Sequence, residues 1–159
     1  MISLLEQRLS KDLVVFEYGS GYSTSFFSQR VKSVASVENS SDWYDRISDS
    51  LPDNSTLMYR AADTDGAYCR AINDASEKIF DVILVDGRDR VNCVKQAFQK
   101  LTGRGVILVD DVHRQDIAQG VDYLVSNGFK LLECTGLKPV NRGVYRSAIF
   151  YRPDNCLRL

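Results

Sequence analysis

Short, almost uninterrupted apolar runs alternate along the chain with longer stretches in which apolar residues recur every three or four positions. The first pattern is that of a strand buried on both faces, and the second that of an amphipathic helix. Leu13–Tyr18 (LVVFEY) predicts a buried strand, followed by a turn at Gly19–Gly21 and a helix to Arg30. Ser33–Glu38 predicts a second strand and Asn39–Ser50 a second helix, which Ser40 or Ser41 can cap. Leu51–Ser55 reads as a loop, Leu57–Ala61 as a weaker third strand and Gly66–Lys78 as a helical segment. Phe80–Asp86 (FDVILVD) is the clearest strand, a continuous apolar run ending in a charge, as a central parallel strand should. Arg90–Leu101 predicts a helix stopped at Gly103, and Gly105–Asp110 (GVILVD) another buried strand. Gln115–Asn127 follows as a helix stopped by Gly128, and Phe129–Cys134 and Ser147–Arg152 as two strands around a loop at Thr135–Tyr145.

Strands alternating with helices predict a parallel α/β sheet. Only the last two strands are joined without room for a helix, so the final one should run antiparallel. A length of 159 residues suits one domain, 1–159, with residues 1–12 as a short helical extension at its N-terminus. Charge adds an exclusion: 20 basic against 21 acidic side chains leave a net charge of −1, without the basic surface that nucleic-acid binding relies on. Charges interrupt every apolar run well before the roughly 18–20 residues of a membrane span. Glu6, Arg8, Lys11 and Asp12 stand where a secretory leader needs apolar residues. Cys69, Cys93, Cys134 and Cys156 form no CxxC pair and have one imidazole, His113, to join them. They read as reduced thiols of a cytoplasmic protein, not as zinc ligands.

Open parallel sheets bind ligands at the carboxyl ends of their strands. After the first strand come Glu17, Tyr18, Gly19, Ser20, Gly21, Tyr22, Ser23 and Thr24. Two glycines allow a tight turn and a close backbone approach, while Ser20, Ser23 and Thr24 offer donors at the turn and the following helix. A structural turn would explain the glycines alone. A dinucleotide fingerprint, however, wants a third glycine where Thr24 stands, and Glu17 would set negative charge beside a pyrophosphate. The same carboxylate suits a ligand with an amino group and a sulfonium, as in S-adenosylmethionine. Glu38, ending the second strand, can accept both ribose hydroxyls of an adenosine. Asp63, after the third strand, would lie near an adenine edge, and Asp86 closes the fourth.

On FEYGSGYST (16–24), SVASVEN (33–39), FDVILVDG (80–87) and GRGVILVDD (103–111), the chain resembles the class I S-adenosylmethionine-dependent methyltransferases. The resemblance covers nearly the whole chain. It implies a Rossmann-like α/β fold, a mostly parallel seven-stranded sheet of order 3-2-1-4-5-7-6 with helices on both faces. It also implies that Glu17, Gly19, Gly21 and Glu38 hold the cofactor and that a methyl group passes to an oxygen or nitrogen of an acceptor. A narrower likeness, to the catechol-type O-methyltransferases, is carried by Asp86, Asp110 and Asp111. It implies a Mg²⁺ ion that clamps and acidifies a substrate hydroxyl. The chain departs from that pattern, with Asp89 in place of a catalytic lysine and Asp111 in place of an asparagine. Asp110 and Asp111 equally suit pocket lining or a helix cap.

Asp110 and His113 are the catalytic candidates, His113 as a general base. Arg88, Arg90 and Arg114 stand on the same strand-end loops, where they would draw an acidic substrate. Tyr22, inside the glycine turn, is a pocket candidate, whereas Trp43 and Tyr44 read as core. The expected partners are S-adenosylmethionine and an acceptor, with no nucleic acid and no membrane; a homo-oligomer stays open. Two competing readings are a non-catalytic cofactor-binding regulatory domain or partner subunit, and an NAD-dependent dehydrogenase, which Thr24 and Glu17 disfavour.

Overall fold

The structure, a computed structural model, describes residues 1–75, 77–137 and 143–159. The apolar runs become β1 (Val14–Tyr18), β2 (Ser33–Glu38), β3 (Ser55–Tyr59), β4 (Phe80–Val85), β5 (Leu101–Val109), β6 (Lys130–Leu137) and β7 (Val144–Tyr151). They form one sheet of order β3-β2-β1-β4-β5-β7-β6. β1 to β5 pair in parallel, and β7 runs antiparallel to both β5 and β6. The strand order reverses between β1 and β4, so the loops leaving those two strands part and open a crevice.

Among the described residues six helices pack on this sheet: α1 (Ile2–Arg8), α2 (Tyr22–Ser28), α3 (Ser41–Ser48), α4 (Ala67–Arg70), α5 (Arg90–Lys100) and α6 (Ala118–Ser126). Alternate strand residues serve two separate cores, because successive side chains leave a strand on opposite faces. Phe16, Tyr18, Ile83, Val85, Ile107 and Val109 pack with Tyr68, Cys93, Val94 and Leu124 of α4, α5 and α6. Val15, Val82, Leu84, Val106 and Leu108 pack on the other face with Leu5 of α1 and Phe27 of α2. Burial on both faces is why these strands carry continuous apolar runs.

The differences from the sequence reading have local causes. α5 ends at Lys100 and β5 begins at the next residue, so Gly103 lies inside a strand and stops no helix. Leu101 makes the break, because it is buried, extended (φ −74°, ψ 137°) and paired with Phe80. The pairing then shifts register between Phe80 and Val82, which accommodates the exposed Gly103 and Arg104. The helical segment expected over Gly66–Lys78 contracts to α4 and one 3-10 turn, Ala71–Asp74, after which Ala75 turns extended. β3 starts at Ser55 instead of Leu57 because its pairing with β2 begins at Val34–Ser55. Thr135–Leu137 belong to β6, and residues 138–142 of the expected loop lie outside the described residues.

All four cysteines are free thiols, with Cys69 and Cys93 buried. Burial pushes the Cys69 thiol up to about 11 and that of Cys156 to about 12, so neither is a thiolate near neutral pH. Among the described residues no helix is long and apolar enough to cross a membrane.

Candidate functional site

The crevice between β1 and β4 holds a cavity of about 550 Å³, whose walls include Gly19, Ser20, Ser23, Glu38, Asp86 and Arg90. Gly19 meets two constraints that exclude a side chain. Its φ is +91°, and an added Cβ would stand 3.0 Å from the Asp86 carbonyl oxygen. Its N–H donates to the Val37 carbonyl at 2.9 Å, so the turn is tied to β2 as well as pressed against β4. Gly21 has looser surroundings, since a Cβ there would meet only the Trp43 ring, at 3.7 Å or more. Its N–H donates to Thr24 Oγ1 at 3.1 Å, which gives Thr24 a capping task where a dinucleotide fingerprint has glycine.

Glu38 is buried and braces the turn. Its Oε2 accepts from the Ser20 N–H (3.1 Å) and Oγ (3.0 Å), and its Oε1 from the N–H groups of Asn39 and Ser40 (both 2.8 Å). Trp43 completes the brace by donating its Nε1–H to the Ser20 carbonyl at 2.9 Å. Trp43 is therefore a half-buried clamp on the turn and not a core residue. Ser40 Oγ accepts the Trp43 N–H at 3.3 Å and caps α3, which fixes where that clamp falls.

Glu17 is fully buried in β1. Ser36, its register partner on β2, donates from Oγ to Oε2 at 2.8 Å, while Oε1 is buried without a hydrogen-bond partner. Burial raises its pKa; the hydroxyls of Ser23, Thr24 and Ser36 pull the other way, and the Asp86 charge adds to the rise. A carboxyl raised in the folded state favours folding while protonated, and that advantage is lost as pH rises through its folded pKa. Glu17→Gln is accordingly expected to raise the melting temperature near pH 8 and leave it nearly unchanged near pH 4. A melting series across that range checks this; an equal effect at both ends would mean that Glu17 ionisation is not linked to folding.

The strand-end aspartates are organised around Arg90, the first residue of α5. Its Nη2 pairs with Asp86 Oδ1 at 3.0 Å, its Nε donates to the Gly87 carbonyl at 3.1 Å, and its Nη1 donates to the Asp110 carbonyl at 2.5 Å. Asp111 Oδ2 lies 3.7 Å from Nη1. The guanidinium thus joins the loop after β4 to the loop after β5. Among the described residues no group of three or more His, Cys, Asp or Glu side chains is placed to hold a metal ion. Asp86, Asp110 and Asp111 as arranged do not fit the Mg²⁺ triad that the catechol-type resemblance implies.

Asp110 is anchored by the Ser147 hydroxyl of β7, and Asp111 adopts a left-handed φ of +53°. Asp63 lies outside the crevice lining; its two oxygens accept the N–H groups of Ala67 and Tyr68 at 2.6 and 3.1 Å and cap α4. His113 is exposed, edge-on to the Tyr145 ring at 5.6 Å, and is not part of the crevice wall. Arg88 and Arg114 do line the crevice, and Arg114 pairs with Asp116. Tyr22, 92% exposed, is absent from the crevice wall and lines a smaller cavity beside α1 and α2, and Tyr44 is half-buried against Tyr59 and not a core residue. The structure gathers Gly19, Ser20, Ser23, Glu38 and Asp86 in or beside the crevice and adds Trp43 and Ser36, while Arg90, expected to draw an acidic substrate, pairs instead with the strand-end aspartates. Ser36 had a signal, a polar residue in a buried strand opposite a buried acid.

No family profile matches the chain, and no curated protein does. The comparison with solved structures is different in kind. An rRNA methylase from Streptococcus thermophilus superposes with a TM-score of 0.69 at 13% identity, over 95% of this chain and 93% of its own. A precorrin-6y C5,15-methyltransferase from Geobacter metallireducens gives 0.67 at 17%, over 93% and 85%. A Streptococcus mutans protein solved in complex with SAH gives 0.65 at 14%, over 94% of each chain. The chain has the Rossmann-like fold of the class I S-adenosylmethionine-dependent methyltransferases, with the strand order and the antiparallel β7 that the resemblance implied.

Proposed function

We propose that this chain is an S-adenosylmethionine-dependent methyltransferase whose cofactor lies in the crevice between β1 and β4. The observation that carries this reading is the pair of buried acids around the Gly19 turn, Glu17 with an unpartnered Oε1 and Glu38 in the crevice wall. Both are acceptor-only groups when ionised, suited to a cationic ligand with sugar hydroxyls and unsuited to a pyrophosphate. S-adenosylmethionine, when bound, supplies an electrophilic methyl group on a sulfonium. The chain supplies position: Gly19 lets the backbone approach, Glu38 receives the ribose hydroxyls, and Glu17 balances positive charge from below the turn. The chain is expected to work in the cytoplasm. A dehydrogenase is disfavoured by the same acids and by Thr24, whose hydroxyl already caps Gly21.

Calorimetric titration with S-adenosylhomocysteine and with NAD⁺ tests the reading directly. The homocysteine derivative should bind and NAD⁺ should not; the reverse would overturn the proposal. Glu38→Gln should weaken binding at least about tenfold, since charge-assisted hydrogen bonds are worth roughly 1.5–3 kcal/mol each. It should also lower the melting temperature, because the carboxylate braces Ser20, Asn39 and Ser40 in the free protein. Unchanged affinity would remove Glu38 from the ribose.

A further inference from the structure

β6 is the outer strand of the sheet on the side away from β3, and among the described residues no strand pairs with its free edge. It is eight residues long, contains no proline and keeps one unbroken register with β7, from Lys130–Tyr151 to Leu137–Val144. Folded chains usually blunt such an edge with a bulge, a proline, a lysine or a very short strand, because its N–H and C=O groups are a template for another chain. Here the lysine stands at one end, and the mid-strand Glu133 is tied to Arg146 at 3.8 Å.

The β6–β7 ribbon is also longer than its support. β7 pairs with β5 at Ala148–Phe150, so from Val144 to Ser147 the strand beside it is β6 alone. Val112 adds one N–H there, to the Arg146 carbonyl at 2.9 Å. A two-stranded ribbon is marginal by itself, and a third strand steadies it. Leu131 and Leu137, 41% and 80% exposed, lie on one face of this ribbon, because they face Phe150 and Val144 and alternate with Leu132 and Cys134.

We propose that β6 pairs antiparallel with β6 of a second copy of the chain, about a two-fold axis at Cys134, so that two seven-stranded sheets become one. The inference does not depend on the cofactor reading. Residues opposite each other in such a pair share a face, and two registers of that kind engage all of β6 but one residue. Centred on Glu133, the strand would set that carboxylate against its own copy, and like charges directly opposite destabilise a pair. Centred on Cys134, it sets Leu131 against the second copy's Leu137, and Leu137 against the second copy's Leu131. Glu133 then faces a threonine, Thr135. Leu132 faces Gly136, where an added Cβ meets nothing within 4 Å, so that side chain has room. Shorter overlaps leave one of the exposed leucines in water. The strand is therefore complementary to itself in one register.

Sedimentation equilibrium on the full chain should give twice the 17.9 kDa mass. Leu137→Lys, at a position open to water, should leave the fold intact and raise the dissociation constant at least about tenfold, because the symmetry applies the change twice. Leu131→Glu alone should act likewise. The two changes together should restore the dimer, since opposite charges then face each other across the axis. Within one chain these positions lie roughly 20 Å apart at about 3.3 Å per residue and cannot compensate each other. Oxidised glutathione should link the parent through Cys134, whose copies come within about 4.5–5.5 Å at Cα, inside the disulfide range. The two thiols give up two protons and two electrons, and the glutathione disulfide becomes two thiols. Cys134→Ser should dimerise without the link. A chain that stays monomeric would overturn the proposal. So would a dimer indifferent to both single leucine changes, one that the double change does not restore, or one whose covalent link survives Cys134→Ser.

Discussion

Gly19→Val is expected to abolish S-adenosylhomocysteine binding, with a loss of more than about 100-fold in affinity. A β-branched residue is a steric outlier at the observed φ of +91°. Its Cβ would also press on the Asp86 carbonyl oxygen 3.0 Å away, and that backbone has little freedom to withdraw. The Asp86 N–H is bound to the Tyr18 carbonyl at 3.0 Å, so retreat would strip the end of the β1–β4 pairing. The turn therefore opens, and Ser20 leaves Glu38. Gly103→Val is the matched control: the site lies in β5 with nothing within 4 Å of an added Cβ. It should bind like the parent. Calorimetry on both proteins reads the difference, and a Gly19→Val protein that binds normally would place the cofactor elsewhere.

Arg90→Met should produce the second large effect, on stability. The side chain is 15% exposed and Asp111 12%, but Asp86 is 46% exposed, so water relieves part of the loss. Breaking a fully buried pair costs about 3–5 kcal/mol; here about 2–3 kcal/mol is expected. For a chain of this size that is a fall of about 5–10 °C in melting temperature. Magnesium should leave the parent's melting temperature unmoved and raise that of the variant, whose aspartates have lost the Arg90 guanidinium. A clear magnesium response in the parent would show that Arg90 yields its place to the ion.

The strands were legible wherever both faces are buried. Val82–Val85 and Val106–Val109 are apolar without a break because each residue faces one core or the other. β3 was less legible at its start, since no residue from Ser55 to Tyr59 is fully buried and the pattern carries little contrast. The break between α5 and β5 was missed because tertiary pairing of Leu101, not a glycine, ends the helix. In the site, Gly19 and Glu38 were readable because a glycine turn and a strand-end acid impose themselves locally. Arg90 was only half readable. Its pairing with Asp86 four residues earlier is a local relation, but its approach to Asp110 and Asp111 exists only once β4 and β5 lie side by side. Asp63 had the right position after a strand and was diverted by the nearer N–H groups of α4.

The absence of a connecting loop between α5 and β5 makes this stretch of the chain a rigid lever. Arg90 stands at one end of an 11-residue helix whose other end is spliced directly into the sheet. One residue inserted at the splice would turn the helix by about 100° and lift it by about 1.5 Å. The guanidinium would then swing away from the strand-end acids, although no residue near them had been altered. Length variation at residues 100 and 101, more than 10 Å along the helix axis from those acids at about 1.5 Å per residue, should be as damaging as substitution at Arg90 itself.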